Sequence, residues 1–484
     1  MNLDTIFSAA QEAFLSYKNL SGSKKADFLE KIAETLEENR KAIVLMACRE
    51  SNLPEGRING ELGRTTGQIK LFANQVREGS WLEATIDPAD PHRSPLPKSD
   101  IRRMLTPLGP VVVFGASNFP LAFSTAGGDT ISALAAGCPV VYKGHPAHPD
   151  TSKFIGECIS QAVEKSGLPA GVFTHVVGGV KMGQDLVKHP AAKAVGFTGS
   201  YGAGKSLFNI ASDRDEPIPV YAEMGSVNPI FTFQERMTNE LVPLAESFVG
   251  SLTLGSGQFC TNPGLIFVPR ALAENFENAV SEAIKKAPDS PMLHEGIAES
   301  YYTALDNLKT RSELNWVKVP NAKHLINVSP ALAEIKASDW IADDLFQQEV
   351  FGSFALMVVY ENEAELLEVA KKLHGQLTIT LWADKSELKS NEELINILEE
   401  KCGRLLFSGV PTGVEVGYAM QHGGPFPSTT DVRSTSVGAH AIKRFARPIA
   451  FQDMPEELLP EALKNGNPLG IMRQVNGKFT SEKI

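Results

Sequence analysis

Short apolar runs alternate with helical segments between residues 111 and 223, and this alternation restricts the possible folds more than any other feature of the sequence. The pattern predicts strands at 111–114, 140–143, 173–177, 194–198 and 220–223, separated by helices at 125–136, 150–166, 181–188 and 202–212. Strands and helices that alternate at this pace form parallel β-α-β units of a doubly wound sheet. Because such sheets bind ligands at the carboxyl ends of their strands, functional residues are expected there.

A second alternation starts at residue 228 and predicts a second α/β domain. Its strands and helices are expected at 228–233, 238–253, 264–268, 271–286, 355–360, 362–374 and 377–383. Ahead of both alternations, apolar side chains at helical spacing predict helices at 4–18, 24–49 and 59–78. Residues 80–108 are rich in Pro, Asp and Ser and predict an extended excursion or hairpin, whereas the Pro-rich C-terminal segment predicts an interface arm.

The composition argues against several classes of protein. A formal net charge of −11, without runs of like charge, is unfavourable for binding nucleic acid, which requires basic stripes. Five widely spaced cysteines without a C-x-x-C pair predict neither disulfides nor a metal site and indicate a cytoplasmic location. The first residues lack the basic start of a signal peptide, and prolines and glycines interrupt the apolar stretch 103–143, so no membrane span is predicted.

Residues 199–206, with the sequence GSYGAGKS, fit the phosphate-binding pattern G-x-x-x-x-G-K-[ST]. They follow a predicted strand and begin a helix, whose free N–H groups favour an anion. A P-loop NTPase is therefore one alternative, with Asp384 as the best candidate for its magnesium-binding partner. Against it, this motif usually follows the first strand of its domain, whereas three or four predicted strands precede it here. An anion site of another kind, or simply a capped helix, also fits the pattern.

Three polar residues lie where a catalytic site would require them. Cys260 lies in the glycine-rich loop 255–263 (GSGQFCTNP) ahead of a strand, and a nucleophilic thiol requires such an exposed bend. Glu223 ends a predicted strand next to a glycine turn, and Asn118 follows another strand with an amide that can donate to a ligand. Each has a structural alternative, namely a buried thiol, a surface acid and a turn residue.

Six separated segments together resemble the aldehyde dehydrogenase superfamily, and in chain order they are Asn118-Phe-Pro, Lys143, Phe197-Thr-Gly-Ser200, Glu223-Met-Gly, Gln258-Phe-Cys260 and Glu349-Val-Phe-Gly352. Their order and spacing match over essentially the whole chain. The resemblance implies a Rossmann-like cofactor-binding domain at 1–79 and 108–226 and an α/β catalytic domain at 227–435. A small β oligomerisation element with a C-terminal arm would be formed by 80–107 and 436–484.

The resemblance also implies a role for individual residues. Cys260 matches the superfamily's nucleophile, Glu223 its general base and Asn118 the side-chain donor of its oxyanion hole, so the chain is expected to oxidise an aldehyde through a Cys260 thioester. A non-catalytic relative would have no chemical need for all three. Residues expected to contact the cofactor are Lys143 at the adenine ribose, Gly199 and Ser200 at the pyrophosphate, and Glu349 with Phe351 at the nicotinamide ribose. Lys181 is a further cofactor candidate, through the 2′-phosphate considered next. In this interpretation the apparent P-loop is a dinucleotide site, and no metal is needed.

One departure from the superfamily bears on the choice between NAD and NADP. Many NAD-preferring members carry a glutamate three residues after the lysine, whereas this chain has Pro146 there. A 2′-phosphate would then meet no negative charge, and Lys143, Lys181 or Ser200 could pair with it. We therefore expect NADP to be accepted, and the sequence leaves open whether NADP is preferred over NAD.

Residues 144–152, 258–264 and 422–430 resemble the members that oxidise 2,5-dioxovalerate (α-ketoglutarate semialdehyde) to 2-oxoglutarate. An NADP-dependent fatty aldehyde dehydrogenase is the nearest alternative. The carboxylate of an α-keto acid requires a cation, for which Arg64 is the first candidate and Arg433 the weaker one. Each arginine also fits a surface or interdomain salt bridge. The resemblance further implies a homodimer or homotetramer.

Overall fold

The computed structural model describes residues 2–287, 289–319 and 326–484. Within these ranges the helices are α1 (Leu3–Tyr17), α2 (Gly22–Glu38), α3 (Arg40–Ser51), α4 (Glu55–Glu78), α5 (Gly128–Ala136), α6 (Pro149–Lys165), α7 (Val180–Lys188), α8 (Tyr201–Ser212), α9 (Gln234–Thr253), α10 (Ala273–Lys285), α11 (Glu295–Lys309), α12 (Ala337–Ala342), α13 (Glu363–Lys372), α14 (Lys385–Ser390) and α15 (Glu392–Glu399). None of the helices described has both the length and the apolar character that crossing a bilayer requires.

Strands of the same ranges are β1 (Thr85–Asp87), β2 (Ile101–Pro107), β3 (Val111–Phe114), β4 (Val140–Lys143), β5 (Phe173–Val176), β6 (Ala194–Thr198), β7 (Val220–Glu223), β8 (Ile230–Thr232), β9 (Leu265–Pro269), β10 (Ser290–Pro291), β11 (Asn315–Lys318), β12 (Asn327–Val328), β13 (Ala331–Lys336), β14 (Phe354–Tyr360), β15 (Gln376–Trp382), β16 (Cys402–Leu406), β17 (Ala446–Gln452), β18 (Arg473–Val475) and β19 (Lys478–Thr480). The larger sheets account for all of them except the short pair β10 and β12.

Strands β3 to β7 form a parallel sheet in the order β5-β4-β3-β6-β7. Successive residues of β3 point to opposite faces: Val111 and Val113 pack in a core that α2, α4, α5 and α6 share. Val112 packs in a second core, with Leu186 of α7 and Leu207 of α8. Helices thus cover both faces, which explains why β3 is apolar along its whole length. The predicted doubly wound α/β fold is confirmed.

The second sheet has the order β11-β13-β14-β9-β8-β15-β16. Its strands run parallel except for β11, which pairs antiparallel with β13. Both β14 and β15 are buried throughout, as expected for strands with helices on both faces. The glycine loop 255–263, which carries Cys260, leads into β9 of this sheet.

A third sheet joins distant parts of the chain in the order β17-β2-β1-β18-β19. Residues 80–108 contribute β1 and β2, and the segment after 445 contributes β17, β18 and β19. The strands of each of the three larger sheets fall within one of the three predicted domain ranges. That division remains a prediction, because sheet membership does not test whether the parts fold or move as domains.

Several predicted elements differ from the structure. The helix expected at 24–49 is broken at Asn39, whose backbone leaves helical geometry and whose amide donates to the carbonyl of Thr35, so α2 ends there. The helix expected at 125–136 begins only at Gly128, because the preceding residues form turns. Helix α11 and strands β13 and β16 lie in the second α/β region and were not predicted.

Candidate active site

The carboxyl ends of β3, β4, β6 and β7 lie at one edge of the first sheet. Phe114, the last residue of β3, pairs in register with Lys143 and Phe197. Strand β7 ends with Glu223 beside the end of β6, and the loop after β3 carries Asn118. The parallel register therefore places the predicted cofactor lysine, the predicted base and the predicted amide donor along the same edge.

Cys260 lies in a loop between α9 and β9 that an unusual backbone conformation holds in place. Gly255, Ser256 and Gly257 all have positive φ values, of 56°, 56° and 69°. A side chain at Gly257 would bring its Cβ within 2.3 Å of the Gly352 carbonyl carbon. Only glycine fits both this left-handed conformation and this close approach, so the glycines ahead of the thiol have a structural purpose.

Asn228 fixes the other side of the same loop. Its Nδ2 donates to the carbonyl oxygens of Cys260 (2.8 Å) and Asn262 (2.9 Å). Asn262 in turn donates from Nδ2 to the Gly352 carbonyl at 3.1 Å. The carbonyl of Cys260 is thereby held by a donor, whereas the N–H of Cys260 donates to no acceptor in the part of the chain described. This N–H remains available to a ligand.

Asn118 approaches the loop from the first sheet. Its Nδ2 donates to the Gln258 carbonyl at 3.1 Å, two residues ahead of Cys260. A carboxamide nitrogen carries two N–H groups, and among the residues described the second has no acceptor. Gln258 itself is buried and bonds to the backbone of Gly255 and Leu293. The structure therefore brings the Asn118 amide and the Cys260 N–H to the same loop, as an oxyanion hole requires.

His422 lies between the predicted nucleophile and the predicted base. Its Nε2 is 3.4 Å from Cys260 Sγ and 3.1 Å from Glu223 Oε1, and the imidazole is buried. Its Nδ1 has no hydrogen-bond partner within the described ranges. Because the groups facing Nε2 accept hydrogen bonds when ionised, we assign the ring proton to Nε2. Sequence reasoning gave His422 no catalytic role, although it lies in one of the segments that carried the substrate resemblance.

Glu223 is held at both carboxylate oxygens. His422 contacts Oε1, and the hydroxyl of Ser436 donates to Oε2 at 2.6 Å. Burial raises the pKa of the Glu223 carboxyl, but the attraction of His422 and the hydrogen bonds to His422 and Ser436 outweigh it, so the pKa lies below its ordinary value. The carboxylate is therefore ionised at neutral pH. The backbone around residue 429 also pairs with β7, which fixes the position of the acid.

The pKa of the Cys260 thiol shifts in the opposite direction. Partial burial raises its pKa well above the ordinary value, and the nearby carboxylates of Glu223 and Glu349 raise it further. The guanidinium of Arg64 opposes these effects. In the resting protein the sulfur is thus protonated, and a base must take its proton before it can attack a carbonyl carbon.

Arg64 extends from α4 toward this site. Its guanidinium carbon lies 5.2 Å from the ring centre of Phe123, and its buried Nη1 has no hydrogen-bond partner among the residues described. Burial lowers the pKa of the guanidinium, which feels the charges of Cys260 and Glu223. An unpaired cationic donor beside the thiol suits an anionic ligand group. Arg433, the weaker candidate, is largely exposed and pairs with Asp431.

A cleft lies beside the thiol loop where the cofactor residues of the second region are expected. Its lining includes Ser226, Gly257, Glu349 and Phe351. Glu349 lies against Gly225, where a Cβ would come within 2.5 Å of its Oε2. The cleft offers a carboxylate, a phenyl ring and backbone groups next to Cys260, which fits the ribose and ring of a nicotinamide nucleotide.

The remaining cofactor candidates lie at the edge of the first sheet. Gly199 and Ser200 precede α8, and Ser200 caps the helix by accepting from the Ala203 N–H at 3.4 Å. Lys143 is half-buried, and among the residues described it forms no ion pair. Lys181 is exposed and pairs with Asp185 at 2.6 Å. Lys143 and the start of α8 thus lie at the same edge of the first sheet, whereas Lys181 is paired on the surface of α7.

The P-loop alternative does not fit this geometry. A P-loop wraps its first five or so residues around the phosphates, whereas α8 begins at Tyr201, within the motif. The ammonium of Lys205 packs on the rings of Phe208 and Phe426. Asp384, its expected partner, follows β15 of the second sheet rather than a strand of the first. The helix start can hold an anion but has no phosphate-wrapping loop.

Comparison with known proteins identifies relatives of this arrangement. The sequence model of the family described as "Aldehyde dehydrogenase family" matches residues 1–298. A protein of Azospirillum brasilense named alpha-ketoglutaric semialdehyde dehydrogenase 2 is 48% identical over 472 residues, which cover 97% of this chain and 90% of the relative. A solved structure of glyceraldehyde-3-phosphate dehydrogenase from Methanocaldococcus jannaschii, complexed with NADP, matches with a TM-score of 0.77 at 19% identity and covers 93% of both chains.

A larger protein contains the same fold. Proline utilization A from Bradyrhizobium japonicum matches with a TM-score of 0.78 at 22% identity. The match covers 93% of this chain and spans 44% of that longer protein's length. At this level of identity the similarity shows a common fold, and it places the two-sheet arrangement described above in a known architecture.

Proposed function

The chain belongs to the aldehyde dehydrogenase family, whose members oxidise aldehydes with NAD or NADP, and we propose that it does so through a thioester on Cys260. The observation that carries this assignment is the position of His422 Nε2, 3.4 Å from Cys260 Sγ and 3.1 Å from Glu223 Oε1. A reactive thiol, an ionised acid and an N–H donor meet there beside the free Cys260 N–H and the Asn118 amide.

The first step forms a bond between sulfur and carbon. Glu223 takes the thiol proton, and the N–H of His422 donates to the sulfur as it becomes a thiolate, which offsets the high pKa of the thiol. The sulfur attacks the aldehyde carbon, and the carbonyl electron pair moves to oxygen. Asn118 Nδ2 and the Cys260 N–H stabilise this oxyanion, and losing one such donor typically costs about 3–4 kcal/mol of barrier.

The second step oxidises the adduct and the third releases the acid. A bound nicotinamide would supply the hydride acceptor for this oxidation, which converts the adduct to a thioester on Cys260. Glu223 first releases the proton of the thiol to solvent and then removes a proton from water. The resulting hydroxide attacks the thioester carbon, the C–S bond breaks, and the departing sulfur regains a proton from Glu223 as the carboxylic acid leaves. Ser436 keeps the base oriented during this step by its hydrogen bond to Oε2.

We infer that the cofactor lies across the edge of the first sheet and the cleft. Lys143 would contact the adenine ribose, Gly199 and Ser200 the pyrophosphate at the start of α8, and Glu349 with Phe351 the nicotinamide ribose. Lys143 has no acidic partner among the residues described, so NADP is accepted beside NAD. A 2′-phosphate can pair with Lys143, or with Lys181 if it leaves Asp185. Kinetics with both cofactors measure this, and rates with NADP below a tenth of those with NAD would contradict it.

The substrate is 2,5-dioxovalerate, which the enzyme converts to 2-oxoglutarate. The Azospirillum brasilense relative carries the name of this activity and matches nearly the whole chain, and the unpaired Nη1 of Arg64 suits the substrate's carboxylate. The test is a panel of aldehydes with NADP that contains 2,5-dioxovalerate, succinic semialdehyde and a long-chain aldehyde. We expect the highest kcat/KM with 2,5-dioxovalerate, and a higher value with the long-chain aldehyde would favour a fatty aldehyde dehydrogenase.

We propose a homodimer or homotetramer in the cytoplasm. The third sheet offers an edge strand, β17, that is only partly covered within the chain, and all five cysteines are free thiols, as in a reducing compartment. The predicted ranges 1–79 and 108–226, 227–435, and 80–107 and 436–484 are proposed as cofactor, catalytic and oligomerisation parts. Light scattering during size-exclusion chromatography tests the assembly, and a monomer at micromolar concentration would contradict it.

A further inference from the structure

The side chains of Glu223, Cys260 and His422 also form a set of potential metal ligands, and aldehyde oxidation does not use them in that role. One ligand atom from each lies within 4.8 Å of the other two. We propose that this cluster binds one Zn²⁺ ion and that the bound ion inhibits the enzyme reversibly. An inhibitory ion is not a cofactor, so such a site is compatible with the absence of a metal cofactor that the sequence predicts.

The three atoms are a thiol sulfur, an imidazole nitrogen and a carboxylate oxygen, and these are the protein ligands that zinc takes. A tetrahedral ion with bonds of about 2.0–2.3 Å holds its ligand atoms roughly 3.3–3.6 Å apart. His422 Nε2 lies 3.4 Å from Cys260 Sγ and 3.1 Å from Glu223 Oε1. The distances between these ligand atoms thus need to change by only a few tenths of an ångström for the atoms to surround an ion.

Protons balance when the ion binds. The Cys260 thiol loses its proton to solvent and ligates as a thiolate. The ring proton of His422 moves from Nε2 to Nδ1, which has no competing partner in the described residues. Glu223 ligates through Oε1, while Ser436 continues to donate to Oε2 and orients the ligating carboxylate. Water takes the fourth position.

The ionised carboxylate of Glu223 attracts a cation, and the guanidinium of Arg64 opposes this attraction. Because the ion occupies the nucleophile and the base together, it blocks attack on the aldehyde and hydrolysis of the thioester. Inhibition should therefore be complete, competitive with the aldehyde, and reversed by a chelator.

Binding is measured by titrating the cofactor-free enzyme with Zn²⁺ in a calorimeter. We expect one ion per chain. Cys260→Ser, His422→Gln and Glu223→Gln should each weaken the affinity by about 100-fold, the share of one ligand in a zinc site. Cys48→Ser, which removes another partly buried thiol on α3, is the matched control and should bind as the unmodified enzyme does.

Cobalt provides an independent readout, because Co²⁺ bound to a thiolate gives a charge-transfer absorption in the near ultraviolet. We expect this band in the unmodified enzyme and in Cys48→Ser, and its loss in Cys260→Ser. Zinc affinity that is unchanged in His422→Gln would overturn the proposal, since the thiol alone would then hold the metal. Neither measurement uses substrate, so failure here leaves the proposed oxidation untouched.

Discussion

His422 Nε2 lies 3.1 Å from Glu223 Oε1, although 199 residues separate the two side chains along the sequence. The contact joins the end of β7 to an irregular segment that follows the second sheet. Both side chains are buried, and Cys260 approaches the same imidazole nitrogen. The chemistry of the thiol therefore depends on a partner that strand and helix periodicity does not predict.

Replacing His422 by Gln removes the N–H that stabilises the thiolate. A hydrogen bond to a charged group contributes about 1.5–3 kcal/mol, so we expect kcat to fall about 10- to 100-fold. Stopped-flow measurement of NADPH formation checks this. The control is His440→Gln, which changes an exposed histidine and should keep its rate. Equal rates in His422→Gln and the unmodified enzyme would remove His422 from the mechanism.

Replacing Asn118 by Ala removes the side-chain donor to the oxyanion. We expect kcat to fall about 10²- to 10³-fold, as for other enzymes that lose one such donor. Alkylation of Cys260 by iodoacetamide forms no oxyanion, so its rate should change little. Measuring both rates on one preparation separates loss of the donor from collapse of the loop. A parallel loss of alkylation would show that Asn118 acts mainly by holding the Gln258 carbonyl.

The alkylation rate of Cys260 should depend on pH in a defined direction. Burial and then the charge of Glu223 raise the thiol pKa, so the thiolate fraction is small at neutral pH and grows as pH increases. We expect the rate of the cofactor-free enzyme to rise continuously from about pH 7 to 9. Glu223→Gln removes one of the charges that raise the pKa, so its alkylation rate should rise at lower pH values than that of the unmodified enzyme. A pH profile that is unchanged or moved to higher pH in this variant would contradict the sign assigned to Glu223.

Replacing Arg64 by Gln tests recognition of the substrate carboxylate. Losing a charge-assisted hydrogen bond worth about 1.5–3 kcal/mol should raise KM for 2,5-dioxovalerate about 10- to 100-fold. KM for an uncharged aldehyde such as propanal should stay nearly constant. Arg433→Gln is the matched control, because that arginine is exposed and bound to Asp431. An equal rise in KM for both aldehydes would assign Arg64 a structural role.

Much of the fold could be predicted from sequence because buried parallel strands are short apolar runs bounded by glycine. Strand β4 and helix α6 fall within a residue of their predicted bounds for this reason. The break at Asn39 was missed because neither proline nor glycine marks it, and the side chain of Asn39 itself ends the helix. Strand β16 was missed because it is only partly buried and lacks a continuous apolar run.

The candidate site could be predicted only in part. Glu223 and Asn118 follow strands of one sheet, so a rule about strand ends finds them, and the glycine loop draws attention to Cys260. His422 has no such signal, because its segment lacks periodicity and reaches the site only through tertiary packing. The pattern at 199–206 was ambiguous for a different reason: residues alone do not show where the helix begins, and the start of α8 at Tyr201 decides against a P-loop.

The most direct test of the account is to trap the covalent intermediate. Glu223→Gln lacks the base for thioester hydrolysis, whereas at about pH 9 part of Cys260 ionises without that base. At this pH the variant mixed with 2,5-dioxovalerate and NADP should form the thioester and stop after one turnover. We predict that mass spectrometry of the acid-quenched protein finds the acyl group on the peptide that contains Cys260, in step with any NADPH formed. NADPH formation without an acyl group on Cys260, or with the group on another residue, would contradict the central claim.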